Sequence, residues 1–83
     1  MYLHPGGNFV ICADDIIGIF DLDKTTVSKR TRAFLNTKEK QNKVILVDDD
    51  LPQSFIVTAK GQTEKVYLSQ ISSKTLHIRL SEE

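Results

Sequence analysis

Apolar residues along this chain come in short runs, broken by turn-forming clusters, with one stretch of helical period near the middle. Tyr2-Leu3-His4 is a β-prone stub, and Pro5-Gly6-Gly7-Asn8 after it reads as a tight turn needing a left-handed dihedral. Phe9-Val10-Ile11-Cys12 is a continuous apolar run of the length expected for a buried strand. Ala13-Asp14-Asp15 predicts a turn or a single helical turn. Ile16-Ile17-Gly18-Ile19-Phe20 predicts a second strand, in which Gly18 marks a bulge or a close backbone approach.

The helical stretch follows, with Thr25 or Thr26 as its N-cap and Asp21 and Asp23 complementing its positive end. At 100° per residue, Val27, Thr31, Phe34, Leu35 and the stem of Lys38 share one side, and Lys29, Arg32, Asn36 and Lys40 share the other. The helix is expected to fray before Asn42. Beyond it the pattern reads as antiparallel β: a strand over residues 43–47, a charged turn over 48–52, and a strand over 54–59. A hairpin loop over 60–63 takes its unusual dihedral from Gly61, and a strand over 65–69 closes the hairpin. Ser72 or Ser73 then caps a short last helix over 74–80, with Leu76 and Leu80 as its apolar positions. The predicted architecture is α+β: a small antiparallel β-rich domain of about five short strands, one central helix and a short C-terminal helix.

At 83 residues, that is one domain spanning 1–83 with a thin stability margin, too small for a two-lobed enzyme fold. No apolar run is long enough to span a membrane. Met1 to Pro5 lacks the basic start and long apolar stretch of a signal peptide, so a cytoplasmic location is expected. The one cysteine, Cys12, precludes an internal disulfide and fits a reducing compartment. A small domain without disulfide or metal often gains stability by oligomerising.

The formal net charge of zero hides a segregation. Residues 24–43 hold seven cations (Lys24, Lys29, Arg30, Arg32, Lys38, Lys40, Lys43) and one acid, Glu39, a net +6. The rest of the chain holds four cations and ten acids, a net −6. Such a dipolar chain suits a polyanion such as double-stranded DNA, or the acidic face of another copy of itself. Lys24, Lys29, Arg30, Arg32 and Lys40 are the candidate phosphate contacts. No aromatic residue is interleaved with them, so stacking on single strands is not indicated.

Other chemistry is thinly supported. Phe20-Asp21-Leu22-Asp23-Lys24-Thr25 has the Asp-x-Asp-x-Thr form of the Mg²⁺-dependent haloacid dehalogenase-type phosphatases, and Asp48-Asp49-Asp50 could imitate a later acidic motif. The strands which that fold requires around its motifs are missing, and acids beside a helix start explain Asp21 and Asp23 equally well. His4 and His77 have no partner at ligand spacing, so no metal and no cofactor are expected. Cys12 reads as a small hydrophobe, and the serines near the C-terminus as caps. No small-molecule substrate is expected, and the chain reads as a non-enzyme.

Two passages resemble a known family. Met1-Tyr2-Leu3-His4, then Gly6-Gly7-Asn8 and Ile16-Ile17-Gly18-Ile19-Phe20-Asp21, is similar to the RemA/RemB family of bacterial extracellular-matrix (biofilm) regulators. Ser54-Phe55-Ile56-Val57-Thr58 and Val66-Tyr67-Leu68-Ser69, with Ile71-Ser72-Ser73 and Thr75-Leu76, looks like the RemB branch. The resemblance implies a DNA-binding regulator of matrix gene expression, and similarity to the RemA branch implies ring-shaped homo-oligomers around which DNA bends. Where RemA-type chains carry DNA-contacting arginines, this chain has Asp15 and the Asp50-Leu51 pair. An acid repels phosphate, so those contacts do not carry over and the helix ridge would have to bind DNA. The alternative is an oligomeric assembly module whose basic helix docks on acids such as Asp14, Asp15 and Asp48–Asp50.

Overall fold

A computed structural model describes residues 1–22, 29–49 and 51–81 of the chain. Their order is β1 (Tyr2–Leu3), β2 (Ile11–Cys12), a 3₁₀ turn (Ala13–Asp15), β3 (Ile16–Asp21), α1 (Lys29–Lys40), β4 (Val44–Leu46), β5 (Ser54–Lys60), β6 (Thr63–Ser69) and α2 (Ser73–Ser81). The expected α+β class is what the chain adopts. The predicted cap at Thr25 or Thr26, and Val27, lie outside the described residues.

β5 is the central element. Its first five residues, Ser-Phe-Ile-Val-Thr, are all buried, so both faces of this strand must be covered. The four-stranded sheet has the order β3-β5-β6-β4. Phe55 and Val57 point to one face, where with Val66 they meet Phe34 and Leu35 of α1. Ile56 points to the other, where it joins Ile19, Leu3, Ile11 and Leu76 under α2 and the β1–β2 pair.

One pairing departs from the sequence reading. β4 lies parallel to β6, with Val44 opposite Val66, and does not pair with β5. The connection from β4 to β5 carries three acids and Pro52, which favours a crossing over a tight hairpin. The chain therefore passes over the end of the sheet, and the doubly buried β5 takes the interior position. The run at residues 9–12 also differs: Ile11 is buried, but Val10 is exposed and only Ile11–Cys12 pairs, with β1.

Local signals hold well elsewhere. The β3–β5 register shifts between Ile16 and Gly18, a bulge at the predicted glycine. A Cβ on Gly18 would fall 2.5 Å from the Phe20 ring, which stacks on Phe55 at 5.1 Å between centroids. The β5–β6 loop tightens to Gly61-Gln62, with Gly61 at φ 62°. Ser72 is the α2 cap: its Oγ accepts the Thr75 N–H at 3.2 Å.

A buried serine pair fastens the N-terminal stub. Ser69 Oγ donates to the Pro5 carbonyl at 2.6 Å and accepts the Ile71 N–H at 3.1 Å. Its cross-strand partner Ser54 donates from Oγ to the Ile71 carbonyl at 2.7 Å. Among the described residues no buried side-chain polar atom lacks a partner. Ser69→Ala would strand the Pro5 carbonyl and the Ile71 N–H, and should lower unfolding stability by about 1–3 kcal/mol, read as a reduced midpoint in urea.

Candidate nucleic-acid interface

α1 turns its apolar side to the sheet as its period requires: Phe34 and Leu35 pack on the Phe55–Val57–Val66 cluster. Its C-terminus closes with a Schellman motif. The Lys43 N–H donates to the Lys38 carbonyl at 2.9 Å, the Asn42 N–H donates to the Glu39 carbonyl at 3.0 Å, and Asn42 sits at φ 58°. Asparagine tolerates this left-handed conformation better than most residues, so the helix stops where the sequence reading places its end. Lys38 and Lys40 in the last turn complement the negative helix end.

Lys29, Arg32 and Lys40 are all exposed and lie within about 80° of helical rotation along the outer side of α1. They span about 16 Å along the helix axis at 1.5 Å per residue. One DNA strand presents about five phosphates over that length, at 3.4 Å of axial rise each. Arg30 is also exposed, but stands about 100° round from Lys29 and borders a groove between the helix and the sheet. Lys24 lies outside the described residues. No ion pair among the described residues engages Lys29, Arg30, Arg32 or Lys40.

Lys38 behaves differently. Its Nζ lies 2.6 Å from Glu64 Oε1 on β6, and 5.6 Å from the centroid of the Phe34 ring. Its side chain is only 12% exposed, so this cation is spent inside the protomer. The same bond and charge hold the Glu64 carboxyl below its ordinary range, more strongly than partial burial pushes it up.

Among the described residues the acids stand apart from one another. Asp21, at the end of β3, accepts a hydrogen bond from the Ser73 hydroxyl of α2. Asp48 follows β4 and accepts the Asp49 N–H at 2.7 Å. β3 and β4 are opposite edges of the sheet, about 14 Å apart at the usual strand spacing. Among the described residues, no three His, Cys, Asp or Glu side chains converge as metal ligands. Of the acids in the phosphatase reading, Asp21 is thus parted from Asp48 and Asp49, and Asp23 and Asp50 lie outside the described residues. His4 and His77 are both exposed, and Cys12 is half-buried with a free thiol.

One feature escaped the sequence reading. Beside α1 a groove of about 390 Å³ opens over β3 and β5, lined by Ile17, Phe20, Phe55 and Val57, with Arg30 and Phe34 on its helix side. The bulge creates it. In an unbroken strand Ile17 would face away from Gly18 and Phe20, whereas here it joins Phe20 in lining the groove. The adjacent Ile-Ile-Gly was the available signal, but it does not reveal which face remains uncovered.

The fold and its outward cations define a small α+β domain with a basic helical face and no assembled catalytic centre among the described residues. The RemA-like family, described as "Extracellular matrix regulatory protein A-like", matches residues 2–80. The chain is 38% identical over 79 residues to Extracellular matrix regulatory protein B of Bacillus subtilis (strain 168), covering 95% of this chain and 89% of that protein. The chain belongs to the RemA-like family, as the two sequence passages indicated.

The depressed Glu64 carboxyl fixes the sign of a pH effect. Its contribution to stability is fully present above the ordinary carboxylate range and disappears as pH falls through its lowered folded value. Glu64→Gln should be less stable than the parent at neutral pH. The two should converge under acid, measured as denaturant midpoints across a pH series.

Proposed function

We propose that this protein is a non-enzymatic, cytoplasmic regulator of extracellular-matrix gene expression that self-associates and binds double-stranded DNA through phosphate contacts. Family membership and the name of the Bacillus subtilis relative support the regulatory role. The observation that carries the DNA-binding part is the outer stripe of α1, where Lys29, Arg32 and Lys40 are solvent-facing and no described carboxylate neutralises them. Such cations, repeated by symmetry in a homo-oligomer, would multiply weak contacts into useful avidity. Contacts to phosphate position a protein without reading bases, so discrimination would come from duplex shape and bendability. Lys24 belongs to the same basic segment by sequence.

The second reading is an oligomeric assembly module without DNA. It is favoured by the number of large apolar side chains left at the surface, among them Ile17, Phe20, Leu46 and Leu51.

Duplex binding should weaken steeply with salt, the logarithm of affinity falling about 0.9 per neutralised phosphate for each unit of log salt. Lys29→Ala, Arg32→Ala and Lys40→Ala combined should reduce affinity on every duplex alike and flatten that slope by about two to three units. Fluorescence anisotropy at several salt concentrations measures both. No binding at low salt, with the oligomer intact, would select the assembly module.

A further inference from the structure

β5 and β6 outrun the strands beside them. They pair from Ser54 opposite Ser69 to Lys60 opposite Thr63. β3 joins β5 no further along than Thr58, opposite Ile16, and β4 joins β6 from Val66, opposite Val44. The rungs Ala59–Glu64 and Lys60–Thr63, with the turn at Gly61-Gln62, therefore project from the end of the sheet as a two-stranded ribbon.

Side chains alternate across a strand, so the ribbon has two unlike faces. Ala59 and Glu64 share the face of Val57 and Val66, on which α1 packs, and Glu64 is neutralised there by Lys38. Thr58, Lys60, Thr63 and Lys65 share the other face and together line a recess of about 240 Å³. Lys60, Thr63 and Lys65 are exposed. The buried Thr58 donates its hydroxyl to the Lys65 carbonyl at 3.3 Å, which leaves Thr63 to offer a hydroxyl to a ligand. No acid of the ribbon lies on this face, and no ion pair among the described residues engages Lys60 or Lys65. Asp14 and Asp15, in the turn before β3, come to this end of the sheet and pair with neither lysine. Lys43 adds a cation at the same end, its carbonyl accepting the Val66 N–H at 2.8 Å beside Lys65.

Lys60 and Lys65 are diagonal neighbours across the ribbon, about 7–8 Å apart at the backbone. Their mutual repulsion is relieved by an anion seated between them. Lysine meets phosphate as a point charge on a flexible stem, so the pair needs no fixed bidentate geometry. The shape favours a duplex over a free anion: a two-stranded ribbon is narrow enough to enter the major groove of B-DNA, which both backbones border.

We propose that this face of the ribbon is a second phosphate-binding surface for double-stranded DNA, with Lys60 and Lys65 on the backbone, so that one protomer holds two duplex segments at once. This rests on the reading that the chain binds duplex DNA, and adds a second place at which it does so. The two surfaces look away from each other, because the α1 stripe stands on one side of the sheet and the ribbon lysines on the other. One straight duplex cannot lie on both. The ribbon therefore takes another duplex, or a bent-back part of the same one.

Capture of a fluorescent duplex by an immobilised one, with the full-length protein as the link, tests this. The parent should bridge the two duplexes. Lys60→Gln with Lys65→Gln should cut bridging about tenfold or more and flatten the salt dependence of duplex binding by about two units, while α1 still holds the immobilised duplex. Lys60→Arg with Lys65→Arg should bridge like the parent, since the charge is what is required, and both pairs should melt at the parent's temperature. A parent that binds no duplex at low salt overturns this inference together with the DNA reading. If duplex binds but is not bridged, or is bridged equally by the glutamine pair, the ribbon alone is overturned. Amide resonances of Lys60, Thr63 and Lys65 that shift with inorganic phosphate but not with duplex would likewise overturn it, in favour of a small anion.

Discussion

The architecture depends on the burial of β5. A strand whose consecutive residues are Phe55, Ile56, Val57 and Thr58, all buried, has no solvent-facing side and must be flanked and covered in every direction. β3 and β6 satisfy its backbone hydrogen bonds on either side. α1 covers the side of Phe55 and Val57, while α2 with the N-terminal strands covers Ile56. With both flanks of β5 taken, β4 can add only at an outer edge of the sheet, and it takes that of β6. The basic helix is held by the same constraint, since Phe34 and Leu35 press on β5 and thereby turn Lys29, Arg32 and Lys40 outward.

Electrostatics then divides the cations by where they stand relative to that packing. Lys38 lies on the sheet side of α1, is largely desolvated, and is matched with Glu64 and the Phe34 ring. An unpaired ammonium there would be costly. The outer cations Lys29, Arg32 and Lys40 stay exposed to solvent and have no such need of a carboxylate partner. Segregation in the sequence thus becomes segregation in space, with Lys38 withdrawn from the outward stripe. The acids divide too: Asp21 is held by Ser73, whereas Asp48 and Asp49 begin the connection from β4 to β5.

Much of this was legible along the chain. The break at Gly18, the end of α1 near Asn42, the turn at Gly61 and the cap at Ser72 each depend on a residue's local conformational preference, and each occurs where the residue type indicates. The two sides of α1 were legible too, because helical geometry alone assigns Phe34 and Leu35 to one side and Lys29 and Lys40 to the other. Val10 was misleading. An apolar run does not say whether a neighbour will arrive to cover it, and at Val10 none does. The groove was not legible, because the glycine that marks the bulge does not show which face of the sheet other segments will leave uncovered.

By itself, the sequence determined the α+β class, the punctuation of its elements, the cationic helix face and the kinship carried by the stretches around Ile16–Asp21 and Ser54–Thr58. These are properties of residues within a few positions of one another, governed by dihedral preference and side-chain period. Tertiary structure alone decided that β4 runs parallel to β6, that Lys38 spends its charge on Glu64, and that an apolar groove opens beside α1. Those outcomes depend on which distant segments meet, and burial of β5 settles that only once the whole sheet has formed.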